Sequence, residues 1–167
     1  MSKVELSYED LSEEFIKELA DLGSEDIGSE RGVLATSKDG HVTARRMRLL
    51  LDDHNLYGWT DSKTRKVEQI KANPNVAVVV GYYQMEGIAS VKGHPNEEPE
   101  FLEVIRKKIP HRYENLVKDW SEKSDRSVIK VELQRVALFK YSDPVAGIER
   151  GIYTLDVDER KAYRLEI

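Results

Sequence analysis

Asp39-Gly40 stands between two runs of β-branched and aliphatic residues, 32–37 and 41–51, and this constrains the fold more than any other local feature. Glycine accepts the positive φ that a tight hairpin demands, so the dipeptide makes the two runs antiparallel neighbours. Reversal signals recur along the chain. Asp52, Asp53, His54 and Asn55 precede a third strand at 56–60, which completes an expected three-stranded meander. Residues 76–83 and 88–92 read as strands across a turn at 84–87. A long, partly alternating strand is expected from Val128 to Tyr141, and 152–157 with 162–167 form a terminal hairpin around Asp158 and Glu159. Strands so closely spaced, with few βαβ crossovers, favour an antiparallel barrel over a doubly wound parallel sheet.

Helices decorate these strands. Leu11, Phe15, Ile16 and Leu19 recur at helical spacing within 7–22, with Ser7 placed to cap the start and Gly23 the end. Ser62 or Thr64 can cap a short helix that carries Val67 and Ile70 and stops at Asn73-Pro74. A helical insertion is expected near 99–123, divided by Pro110.

The chain of 167 residues suits one domain, 1–167. With 40% hydrophobic and 34% charged residues it has the composition of a chain that folds. Its 26 basic and 31 acidic residues leave a net charge of −5, which disfavours nucleic acid as a partner and makes any anion site a local feature. Cysteine is absent, which removes disulfides, thiolate nucleophiles and Cys-ligated metals. The longest apolar runs fall far below the roughly 20 residues of a membrane span, and the N-terminus is acidic and polar, so a cytoplasmic protein is expected. His41, His54, His94 and His111 lie far apart in sequence without metal-ligand spacing, so no metal is expected.

Three arginines occur in the run Ala44-Arg45-Arg46-Met47-Arg48-Leu49-Leu50. On a strand Arg46 and Arg48 share one face, and Arg45 and Met47 the other. Taken alone this is a solvated strand face. Trp59-Thr60 then ends a strand, and Thr64-Arg65-Lys66 stands where a helix begins. Helix N-termini offer free N–H groups and partial positive charge, so hydroxyl and cationic side chains there make a compact phosphate site.

At these residues the chain resembles the FMN-binding split barrels typified by pyridoxamine 5'-phosphate oxidase, in the branch of the general stress proteins. The likeness runs from about Val33 to Gly93 through Val33-Leu34-Ala35-Thr36, Asp39-Gly40, Arg46-Met47-Arg48-Leu49-Leu50, Leu56-Tyr57-Gly58-Trp59-Thr60, Thr64-Arg65-Lys66, Gln69-Ile70, Asn73-Pro74 and Val91-Lys92-Gly93. The order and spacing of these pieces carry it. The resemblance implies an antiparallel split β-barrel of Greek-key type, α+β overall, binding FMN as a homodimer with flavins at the subunit interface. It places Arg46, Arg65 and Lys66, with Thr64, at the phosphate and ribityl end. Met47, Arg48, Leu49, Trp59 and Thr60 would line the flavin.

Two departures narrow the expectation. The oxidases carry a C-terminal segment with arginine and histidine near a tryptophan that grips the substrate phosphate, whereas here neither Trp nor His follows Trp120. Oxidation of pyridoxamine 5'-phosphate is therefore not expected. A flavin-contacting glutamine of some members is replaced by Ile88. The readings left are an FMN-dependent oxidoreductase acting on an unassigned small donor or acceptor, a non-catalytic flavin-binding or sensing protein, and a deazaflavin- or haem-binding relative. No catalytic residue is assigned by the sequence.

Overall fold

The structure is a computed structural model in which residues 1–24 and 31–167 are described; the polar link before the first hairpin lies, over 25–30, outside them. In chain order the elements are β1 (Lys3–Leu6), α1 (Tyr8–Glu18), β2 (Gly32–Lys38), β3 (His41–Met47), β4 (Leu50–Asp52), β5 (Asn55–Asp61) and α2 (Arg65–Ala72), followed by β6 (Asn75–Val80), β7 (Tyr83–Val91), α3 (Pro99–Lys108), α4 (Tyr113–Ser121), β8 (Arg126–Lys140), β9 (Gly151–Asp156) and β10 (Lys161–Leu165). The strands form one antiparallel 10-stranded sheet whose main path runs β1-β10-β9-β8-β7-β6-β2-β3, with β5 joined to β8 and β4 to β5 off that path. β8 organises it. Along one edge it pairs β5 over 126–132 and β9 over 135–140, and along the other it pairs β7 over 129–138.

That double pairing splits the sheet and corrects the expected meander. The run 41–51 breaks at Arg48-Leu49, because β3 pairs with β2 whereas β4 pairs with β5. β5 takes β8, not β3, as its second neighbour. At the break Leu49 is fully buried, and Gly23 comes so near that a Cβ on it would lie 2.4 Å from the Leu49 carbonyl oxygen. Three further differences stand out. The turn expected at 84–87 lies instead at Gly81-Tyr82, where Gly81 has φ +55°. Val76, Val78 and Val80 are buried before it and Tyr83, Met85 and Ala89 after it. Residues 84–87 carry a β-bulge between Glu86 and Gly87, so turn-like composition there marks an irregular strand. The first helix ends at Glu18, earlier than expected, and β1, absent from the sequence reading, is held by β10. The Asp39-Gly40 turn is as expected, with φ +51° and +78°.

Two apolar clusters hold the fold. One fills the barrel and includes Phe15, Leu34, Leu49, Leu56, Ile70, Val78, Met85, Ile129 and Val131. The other seats α3 and α4 against β4, β5 and β8 through Leu50, Tyr57, Phe101, Ile105, Trp120 and Val128. Burying one such side chain contributes about 1.5 to 3 kcal/mol, so the insertion is docked by its apolar face. The expected division at Pro110 is present as a short 3-10 turn between α3 and α4.

Candidate functional site

The residues at the start of α2 converge with one face of the β2–β3 hairpin. Thr64 takes the N-cap position in extended conformation, and its hydroxyl donates to the Asp61 carbonyl at 2.9 Å. The Lys66 ammonium donates to the Thr60 hydroxyl at 2.9 Å, which ties the end of β5 to the first turn of the helix. Val67, Gln69 and Ile70 are the buried residues of α2 and fix how the helix lies. The amides of Arg65 and Lys66 stand where an α-helix supplies no acceptor.

Arg45 completes this cluster. Its guanidinium donates to the Leu34 carbonyl at 3.0 Å, to the Thr36 hydroxyl at 2.7 Å and to the Thr43 hydroxyl, and it approaches the Gln69 amide oxygen at 3.4 Å. Burial, and then repulsion from Arg65, lower the pKa of Arg45; burial, and then Arg45, lower that of Lys66. No carboxylate among the described residues makes an ion pair with Arg45, Arg65 or Lys66. Asp61, the nearest acid to affect Lys66, is engaged by Arg126 at 3.3 Å and by the Lys63 amide at 2.8 Å. Three cations without a paired acid, the Thr60 hydroxyl and a helix N-terminus together have the charge and the donors that suit an anion.

The other expected site residues separate from this cluster. Arg46 is exposed on the opposite face of β3, alongside Ala44 and Val42. Met47 and Leu49 are core residues. Arg48 lies 6.0 Å from the centre of the Trp59 ring, and Trp59 packs edge-on against Trp120 with centroids 5.4 Å apart. Trp59, half-buried, therefore forms the seam between the barrel and the helical insertion. Arg45 and Gln69 join the cluster although no sequence pattern marks them as site residues. Strand alternation puts Arg45 with Met47 on the inward face.

Two more polar clusters lie elsewhere. Ser12 and His54 are linked through Oγ and Nε2 at 2.8 Å, and His54 Nδ1 lies 2.9 Å from Asp53 Oδ1. The order matches a nucleophile, base and acid. Ser12, however, sits in the middle of α1, where neighbouring N–H groups serve the helix and none is left to hold an oxyanion. The relay is a latch that docks α1 onto the β4–β5 turn. At the insertion, the Tyr57 hydroxyl donates to Glu100 at 2.6 Å and Lys130 to the same oxygen at 3.0 Å. Tyr57 is held well above the ordinary tyrosine range by burial first and by Glu100 second.

A family model described as pyridoxamine 5'-phosphate oxidase matches residues 17–140. The chain is 34% identical over 96 residues to General stress protein 26 of Bacillus subtilis (strain 168), covering 57% of this chain and 61% of that relative. It thus spans about three-fifths of the length of that curated relative. Among solved structures, an F420 reductase is 25% identical with a TM-score of 0.53, covering 72% of this chain and 94% of its own. A pyridoxamine 5'-phosphate oxidase-related, FMN-binding protein of Nostoc punctiforme PCC 73102 shares the fold with a TM-score of 0.63 over 92% of this chain and 96% of its own, at 11% identity.

Proposed function

This chain belongs to the pyridoxamine 5'-phosphate oxidase family, and on that premise we propose that it is an FMN-dependent oxidoreductase whose substrate is not pyridoxamine 5'-phosphate. The observation that carries the cofactor reading is the cluster of Arg45, Arg65 and Lys66, which is left without a paired acid beside the hydroxyls of Thr60 and Thr64. These residues suit the phosphate of a ribityl phosphate, with Lys66 oriented by Thr60. Arg48 and Trp59 would stand at the wall of the flavin and exclude water from it. Bound FMN would supply hydride- and electron-accepting chemistry. The chain's own residues hold and orient it. Residues 151–156 and 161–165 form β9 and β10, and β10 pairs with β1.

A homodimer belongs to the same proposal. Val42 is 69% exposed and Val79 42% exposed on the outer face of β3, β2 and β6. With Ala35, Ser37 and Ala77, Val42 borders a shallow hollow of about 330 Å³. Arg46 stands on this face, so pairing through it would direct Arg46 toward the partner's half of the assembly. A reducing cytoplasm is the proposed compartment, with which a cysteine-free chain agrees. No described helix is long and apolar enough to cross a membrane.

The likeness to an F420 reductase favours one second reading, a deazaflavin in place of FMN. Both cofactors carry a phosphate on the ribityl chain, terminal in FMN and bridging to a further tail in the deazaflavin, so the same cations would serve. Absorption spectra of the purified protein after exposure to each cofactor separate the two readings. Retention of FMN together with oxidation of a reduced nicotinamide supports the proposal. Retention of neither cofactor overturns both readings.

A further inference from the structure

Gln69 is 2% exposed and is the polar centre of the contact between α2 and the β2–β3 hairpin. Its amide oxygen accepts from the Thr36 hydroxyl at 2.7 Å and the Thr43 hydroxyl at 2.7 Å. Its amide nitrogen donates to the His41 carbonyl at 3.3 Å. Each threonine hydroxyl gives its single hydrogen to Gln69 and turns its lone pairs to Arg45. The guanidinium is thereby fixed by two hydroxyls, a carbonyl and an amide oxygen, all of them neutral. A carboxylate at position 69 would reach the same threonines and also neutralise Arg45, yet the chain carries the uncharged isostere.

We infer that Gln69 sets the phosphate preference of the site. As a neutral amide it fixes the Arg45 guanidinium beside Lys66 and Arg65 while leaving its charge uncompensated, so that the ligand's phosphate becomes the counter-ion. Gln69 is thus a specificity-determining residue that touches no ligand, and the inference rests on the reading that a ribityl phosphate binds here. A phosphate arriving at three cations gains their combined field, whereas an internal acid would cancel part of it before binding. The arrangement costs stability in the apo protein, because like charges are held together partly out of water.

The test is a titration of the full-length apo protein with FMN and with riboflavin, followed by flavin fluorescence, on the wild type, Gln69→Glu and Thr43→Asp. Gln69→Glu places a carboxylate within the network but against the His41 carbonyl. Thr43→Asp brings one to the same guanidinium from the edge strand β3 and remains informative if the first variant fails to fold. The wild type is expected to bind FMN at least about ten-fold more tightly than riboflavin, as one charge-assisted hydrogen bond suffices for that ratio. Each folded variant is expected to lose most of that preference with riboflavin affinity unchanged, and inorganic phosphate should compete with FMN more weakly than in the wild type. A folded variant that keeps the wild-type ratio overturns the inference while leaving the cofactor reading intact. Equal losses of FMN and riboflavin also overturn it, since they would make Gln69 scaffold only. A wild type that binds FMN and riboflavin equally removes the phosphate reading itself.

Discussion

At the scale of single residues, what matters is which charges are compensated and which are not. Lys66 is oriented by Thr60 but is neutralised by no paired acid. A hydrogen bond to a charged group contributes about 1.5 to 3 kcal/mol, and each 1.4 kcal/mol is about ten-fold in affinity. Lys66→Ala is therefore expected to weaken FMN binding roughly 10- to 100-fold and to leave riboflavin binding nearly unchanged. Equal losses for both flavins would place Lys66 away from the phosphate. Arg46→Ala distinguishes the two faces of β3. If Arg46 acts across a dimer, its loss lowers FMN affinity only under conditions where the dimer persists. Backbone crowding gives a second kind of prediction. A Cβ on Gly87 would lie 2.6 Å from the Glu132 carbonyl oxygen and 2.7 Å from Val131 Cγ1 at the β-bulge. Gly87→Ala should destabilise the protein by about 1 to 3 kcal/mol, because backbone and a β-branched side chain must move apart. An unchanged denaturant midpoint would show that the bulge yields freely.

At the scale of elements, the helical insertion is joined to the barrel by an apolar seam and one polar clasp. Glu100 at the start of α3 accepts from Tyr57 on β5 and from Lys130 on β8. Its pKa is lowered, chiefly by the Tyr57 hydrogen bond and then by Lys130. A carboxyl whose folded pKa lies below its unfolded value stabilises the fold above the unfolded value, 4.5 here, and loses that contribution as pH falls through the folded value. Glu100→Gln should therefore melt below the wild type at pH 7, and the difference should shrink as the solution is acidified past the ordinary glutamate range. A gap independent of pH would assign the loss to packing instead of charge. The carboxylate is largely exposed, so the effect at pH 7 should be modest.

At the scale of the whole molecule, no layer of the described residues covers the outer face of β2, β3 and β6, whereas α2 and the barrel core take the inner face. Exposed valines on a sheet face, next to an edge strand that among the described residues pairs on one side only, are a liability for a monomer. A dimer is expected by sedimentation equilibrium, and Val42→Glu should shift it toward monomer because the charge would be buried at the contact. A chain of 19.2 kDa that remains monomeric with full flavin affinity would overturn the dimer.

The local elements were legible in the sequence because their causes are local. Asp39-Gly40 specifies its own turn through positive φ, Asn73-Pro74 ends α2 through proline geometry, and Pro110 divides the insertion through its missing N–H. The cationic character of the candidate site was legible as well, in Thr64-Arg65-Lys66 at a helix start. Partner choice was not. The break at Arg48-Leu49 and the double pairing of β8 depend on which strands meet after the barrel closes, and alternation along one strand carries no record of that. The position of the β6–β7 turn was not legible either, because a bulge and a turn share the same glycine-containing composition. The choice between Arg45 and Arg46 likewise belongs to the tertiary structure. Their side chains are chemically identical, and only the packing of α2 on the inner face of the hairpin brings Gln69 and Lys66 to one of them.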